Sequence, residues 1–128
     1  MTYNELSGEI IAAAIEVHRE LGPGLLESVY EFCLVHELCL RGFSVEQQVL
    51  LPIYYKGEKL HMDLRLDVQV EKRIIVEVKA VEALQGIHTA QLLTYLKLTG
   101  NKLGLLLNFN VPVLKSGIKR VVNGLQED

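Results

Sequence analysis

The chain has 128 residues, 49% of them hydrophobic and 23% charged: enough apolar material for one globular core and too little length for two. Thirteen Lys and Arg against sixteen Asp and Glu leave a net charge of −3, which excludes a protein that coats nucleic acid through bulk positive charge. The longest apolar runs, 10–15 and 103–107, fall far short of the ~18 to 20 residues that a membrane-spanning helix needs.

The chain opens Met1-Thr2-Tyr3-Asn4-Glu5, without a basic stretch before an apolar one; no secretory signal is readable, and a cytoplasmic location is the expectation. Over 4–20, Leu6, Ile10, Ala13, Ala14, Val17 and then Leu21 recur at helical spacing while Glu5, Glu9, Glu16 and Arg19 lie off that stripe, which predicts an amphipathic helix ended by Gly22-Pro23-Gly24. A second helix is predicted over about 25–41, stopping at Gly42, a residue suited to a left-handed cap. Cys33 and Cys39, six apart on that helix, leave it in different directions and are expected as buried free thiols.

From Val45 the chain turns β-branched and aromatic, predicting strands over 49–55, 60–70 and 74–80, with a turn at Lys56-Gly57-Glu58-Lys59. Residues 87–99 return to helical spacing up to Gly100, and 102–109 are nearly all apolar, as in a strand buried on both faces. A strand, a helix and a buried strand in succession predict a parallel crossover unit. The fold class is therefore α/β in the order α-α-β-β-β-α-β, an antiparallel meander plus a parallel strand, with a basic tail at 115–122 that adds a last strand or turn. No repeat or linker interrupts it, so 1–128 is read as one unit.

The informative segment runs from Asp63 to Lys79. If Val70 pairs with Ile74, Asp67 falls opposite Glu77 and Arg65 opposite Lys79. Alternation then makes one face purely apolar (Leu64, Leu66, Val68, Val70, Ile74, Val76, Val78) and the other polar, including Asp67, Gln69, Glu77 and Lys79. Two carboxylates directly opposite on neighbouring strands repel each other. A hard cation such as Mg²⁺, which takes one or two carboxylates plus water and phosphate oxygens, would relieve that repulsion, with Lys79 beside it to orient an attacking water. The alternative reading is a solvated polar face with diagonal pairs such as Asp67 and Lys79 balancing charge.

Asp67 with Glu77-Val78-Lys79, followed by a helix bearing Gln91 and Tyr95, resembles the PD-(D/E)XK nuclease superfamily, whose fold is restriction endonuclease-like. Residues 21–31 (LGPGLLESVYE), 65–67, 77–81, 88–96 and 104–109 (GLLLNF) are similar to the bacterial GxxExxxR family within it. The resemblance implies that Asp67 and Glu77 hold Mg²⁺ or Mn²⁺, that Lys79 is the catalytic lysine, and that Glu27 and Gln91 assist. Two departures stand out: Glu31 occupies the position of the family's Arg, and Leu66-Asp67 that of the Pro-Asp dipeptide.

His88, Gln91 and Tyr95 share a helix face able to reach such a site, and Gln48 is a further candidate to line it. Arg65, His88, Tyr95, Lys115, Lys119 and Arg120 are the candidate nucleic-acid contacts; no stacking aromatic array stands out. The expected function is metal-dependent hydrolysis of a nucleic acid, DNA or RNA, and a homodimer would let so small a domain address both strands. The rivals are a nuclease-like domain that binds nucleic acid or protein without cutting, and a phosphate-ester enzyme acting on a small molecule in a closed pocket.

Overall fold

The computed structural model describes residues 1–126. Its elements are α1 (Tyr3–Leu21), α2 (Glu27–Leu40), β1 (Val45–Tyr55), β2 (Glu58–Val70), β3 (Ile74–Lys79), α3 (Gly86–Thr99), β4 (Leu103–Asn108), a 3₁₀ turn (Leu114–Gly117) and β5 (Ile118–Val122). The predicted order is observed, and the basic tail supplies both a turn and a fifth strand. No helix among the described residues is long and apolar enough to cross a membrane.

The strands form one mixed sheet in the order β1-β2-β3-β4-β5, antiparallel throughout except for the parallel pair β3–β4. Two apolar layers cover it. On one side α1 and α2 bury Leu6, Ile10, Val17 and Leu34 against Val68, Val70, Val76, Leu103, Leu105 and Leu107; on the other, α3 brings Leu92, Tyr95 and Leu96 onto Leu66, Ile75, Leu106 and Val121. All six residues of β4 are buried, as an apolar strand between two helical layers requires. Gly104 lets α3 come close, since a Cβ there would lie 2.9 Å from the Leu92 methyl carbons.

The β2–β3 register is the predicted one, with Val70 opposite Ile74, but the ladder ends at Val68–Val76. The single apolar face is corrected: Val68 and Val70 pack under α1 and α2, whereas Leu64 and Leu66 join the α3 layer. β1 changes sides at the same level, Val45 packing with the first layer and Val49 and Leu51 with the second. The paired positions skip Gln48 and Asp67, and Gln48 has φ +53°, a left-handed backbone that breaks strand alternation. The thiols also depart from expectation: Cys33 is half-buried and Cys39 exposed, because the final turn of α2 leaves its outer side uncovered.

Candidate functional site

Where β2 and β3 stop pairing, side chains replace the backbone ladder. The Asp67 N–H donates to Glu77 Oε2 (2.9 Å), and the Val78 N–H donates to Asp67 Oδ2 (2.9 Å). Each acid thereby satisfies a backbone donor on the neighbouring strand that would otherwise be unpaired. The other oxygen of each, Asp67 Oδ1 and Glu77 Oε1, takes no hydrogen bond among the described residues.

Glu77 is buried at 4% exposure and Asp67 is half-buried, so this is not the solvated polar face of the alternative reading. Burial raises the Glu77 carboxyl to about 8, with the Asp67 charge adding to the effect, and raises Asp67 to about 6 against the opposing hydrogen bond from Val78. The charge of Lys79 acts on both in the opposite sense. Yet Lys79 forms no salt bridge, the sole ion pair among the described residues being Arg41–Glu37, and the diagonal Asp67–Lys79 pair is absent.

The end of β3 that carries Lys79 is fixed from β4. The Phe109 N–H donates to the Lys79 carbonyl (2.9 Å), while the buried Asn108 accepts from the Val81 N–H (3.0 Å) and donates to the Val81 carbonyl (2.9 Å). Gly117 packs so closely behind it that a Cβ would sit 2.1 Å from the Asn108 carbonyl oxygen.

Helix α2 adds two more acids. Glu27, exposed in its first turn, lies near enough for its charge to raise the Asp67 carboxyl. Its approach is set by Tyr30, which stacks on Phe109 (4.6 Å between centroids), donates to the Gly22 carbonyl (2.6 Å) and accepts from the Leu25 N–H (3.1 Å), organising the loop between the helices. Glu31, one turn beyond Glu27, is buried and accepts from Gln47 Nε2 (2.8 Å) and Gln48 Nε2 (2.9 and 3.1 Å). Its charge also raises Asp67 and Glu77. Glu31 thus ties α2 to the break in β1 opposite Asp67, a position the sequence left without a role.

From α3, Tyr95 is raised by burial and by the charges of Glu77 and Asp67, which puts its ring near the acids, while Gln91, exposed one turn earlier on the helix, acts on Tyr95 in the opposite sense. His88 does something else: its Nδ1 accepts the Gln85 N–H (3.0 Å) and caps the helix. Lys115 lies in the 3₁₀ turn and lines a groove with His18, Arg19 and Pro23, and Lys119 and Arg120 stand on the edge strand β5, away from the acids. Lys119 pairs with Leu106, itself the partner of Glu77, two strand spacings or about 10 Å away, and Arg120 donates to Asn4 on α1 (2.8 Å). Arg65 is exposed on β2, opposite Leu50.

Among the described residues no three His, Cys, Asp or Glu side chains form a ready metal cage. What Asp67 and Glu77 offer is one uncommitted carboxylate oxygen each, a donor set that fits a cation keeping most of its shell as water and phosphate oxygen. No curated protein matches the chain, and neither does any solved structure. A family model described as the PD-(D/E)XK nuclease superfamily matches residues 4–121, which include both acids and the lysine and reach from the first turn of α1 into β5. With a mixed sheet of the restriction endonuclease-like kind beneath the acids and the family match across nearly all of it, the chain belongs to the PD-(D/E)XK nuclease superfamily.

Proposed function

We propose that the chain is a metal-dependent nuclease of the GxxExxxR type, hydrolysing phosphodiester bonds of DNA or RNA with Mg²⁺ or Mn²⁺. The observation that carries this reading is the crosswise pair of backbone bonds that turns Asp67 and Glu77 toward one another beside Lys79. Asp67 and Glu77 hold the cation, which when bound neutralises phosphate charge and makes a coordinated water more acidic. Lys79 carries its ammonium next to them without an ion pair, so it is available to orient the attacking water and to offset charge on the phosphate as the bond breaks. Glu27 adds an accessory carboxylate at the solvent side, and Gln91 with Tyr95 supplies hydrogen-bonding groups from α3.

The test is cleavage of a labelled oligonucleotide pool with and without Mg²⁺. Glu77→Ala and Lys79→Ala abolish cleavage while circular dichroism stays unchanged; equal cleavage by either variant overturns the reading. The rival reading is a nuclease-like domain that binds without cutting. Calorimetry with Mn²⁺ separates the two, because only the nuclease needs an ion at Asp67 and Glu77.

A further inference from the structure

β1 and β2 continue to pair far past the end of the sheet. The β2–β3 ladder stops at Val68–Val76, yet β1 and β2 stay partnered out to Tyr55–Glu58. The base of this hairpin rests on the α3 layer through Val49, Leu51, Leu64 and Leu66. Beyond it, residues 52–63 are exposed except for the half-buried Ile53. A two-stranded ribbon with nothing packed on either face is marginal by itself, and such an arm is held for what it meets.

Its surface chemistry points to a partner. Of the five tyrosines, Tyr3 lies beneath the Arg73 guanidinium, Tyr30 stacks on Phe109 and Tyr95 is buried by the acids. Tyr54 and Tyr55 are each 62% exposed, with Lys56 the single cation over either ring. As strand neighbours they present one ring on each side of the ribbon. Residues 49–66 carry three Lys and Arg against two Asp and Glu, so the arm is net positive on a chain of −3. The arm also springs from the site itself: Gln48 and Asp67, the skipped positions of the β1–β2 register, are its root. Tyr54 lies six residues from Gln48, about 20 Å along an extended strand.

We propose that the β1–β2 arm grips a single-stranded nucleic-acid segment that passes round its tip, stacking bases on Tyr54 on one side and Tyr55 on the other before the strand reaches the acidic pair. Aromatic rings beside cations bind single strands through the face that every base has, without reading its edge. Beside its exposed Lys56, Lys59, His61 and Arg65 the ribbon presents Leu50, Tyr54, Tyr55 and Met62, the mixture of cations and apolar or aromatic surface that suits backbone attraction and base stacking. The inference rests on the nuclease reading only in assigning the same strand to the arm and to the acids.

The experiment compares Tyr54→Ala/Tyr55→Ala with Tyr54→Phe/Tyr55→Phe, which keeps the rings. Affinity is read by fluorescence anisotropy on a labelled single strand and its duplex, in a Lys79→Ala background so that the probe survives, and cleavage kinetics are read in the wild-type background. Loss of the rings is expected to weaken single-strand binding about tenfold or more, to leave duplex binding within about twofold, and to raise KM while kcat holds; the Phe pair restores binding. Unchanged single-strand affinity overturns the proposal. So does an equal loss on duplex, or a loss explained by sedimentation velocity showing that the tyrosines instead join two copies of the chain. Tyrosine-dependent binding by a wild type that never cleaves keeps the arm and discards the nuclease; cleavage with unaltered KM does the reverse.

Discussion

The two halves of β3 are built on different terms. Over Ile74–Val76 the strand is laddered to β2 and β4 and its side chains enter apolar layers on both sides. Over Glu77–Lys79 it keeps β4 but parts from β2, and two carboxylates do what backbone carbonyls did one residue earlier. The first half earns stability from burial. The second holds acids where water is scarce, which costs stability, and the first half is what makes that cost bearable.

The largest effect expected lies in the polar half. Asp67→Ala lowers Mg²⁺-dependent cleavage by about 10²- to 10³-fold or more, and Asp67→Ala/Glu77→Ala lowers it little further, because each acid positions the strand that bears the other; initial rates on one oligonucleotide check this. In the apolar half, Leu105→Ala opens a cavity beneath α1 and α2 and removes about 2–5 kcal/mol of stability, read by urea denaturation. Activity per folded molecule survives that change, and the contrast between the two substitutions is the comparison in measurable form.

The pH dependence sharpens it. Glu77 binds its proton more tightly folded, at about 8, than at the ordinary 4.5, so between those values the folded state holds more protons than the unfolded one. The contribution of Glu77 to stability of the metal-free domain is therefore full below about pH 4.5 and is lost as pH rises through 8, by a few kcal/mol at most. Glu77→Gln flattens the decline in thermal melts at a series of pH values. A smaller effect is expected of Tyr30→Phe, which strands the Leu25 N–H and the Gly22 carbonyl and costs about 1–2 kcal/mol with a modest fall in rate as the loop before Glu27 loosens.

Much of the frame was legible because it rests on patterns that run for many residues. The apolar run of β4 and the Val70–Ile74 pairing, bounded by the Glu71-Lys72-Arg73 turn, needed no tertiary information. The change of face at Asp67 was not legible, since Leu64, Leu66, Val68 and Val70 alternate without interruption and only the left-handed Gln48 across the ladder reveals the break. Glu31 looked like a departure from a motif because its partners, Gln47 and Gln48, stand on another element. Tyr54 and Tyr55 read as ordinary strand aromatics, and only the early end of the β2–β3 ladder shows that nothing covers them. His88 seemed to share the face of Gln91 and Tyr95, but its place three residues into the first turn of α3 commits its ring to the cap.

The crossed bonds between Asp67 and Glu77 make the pair a reciprocal brace. A chain that lost either acid would leave the survivor badly aimed, because each carboxylate holds the backbone of the strand that carries the other. The two acids therefore stand or fall as one structural unit.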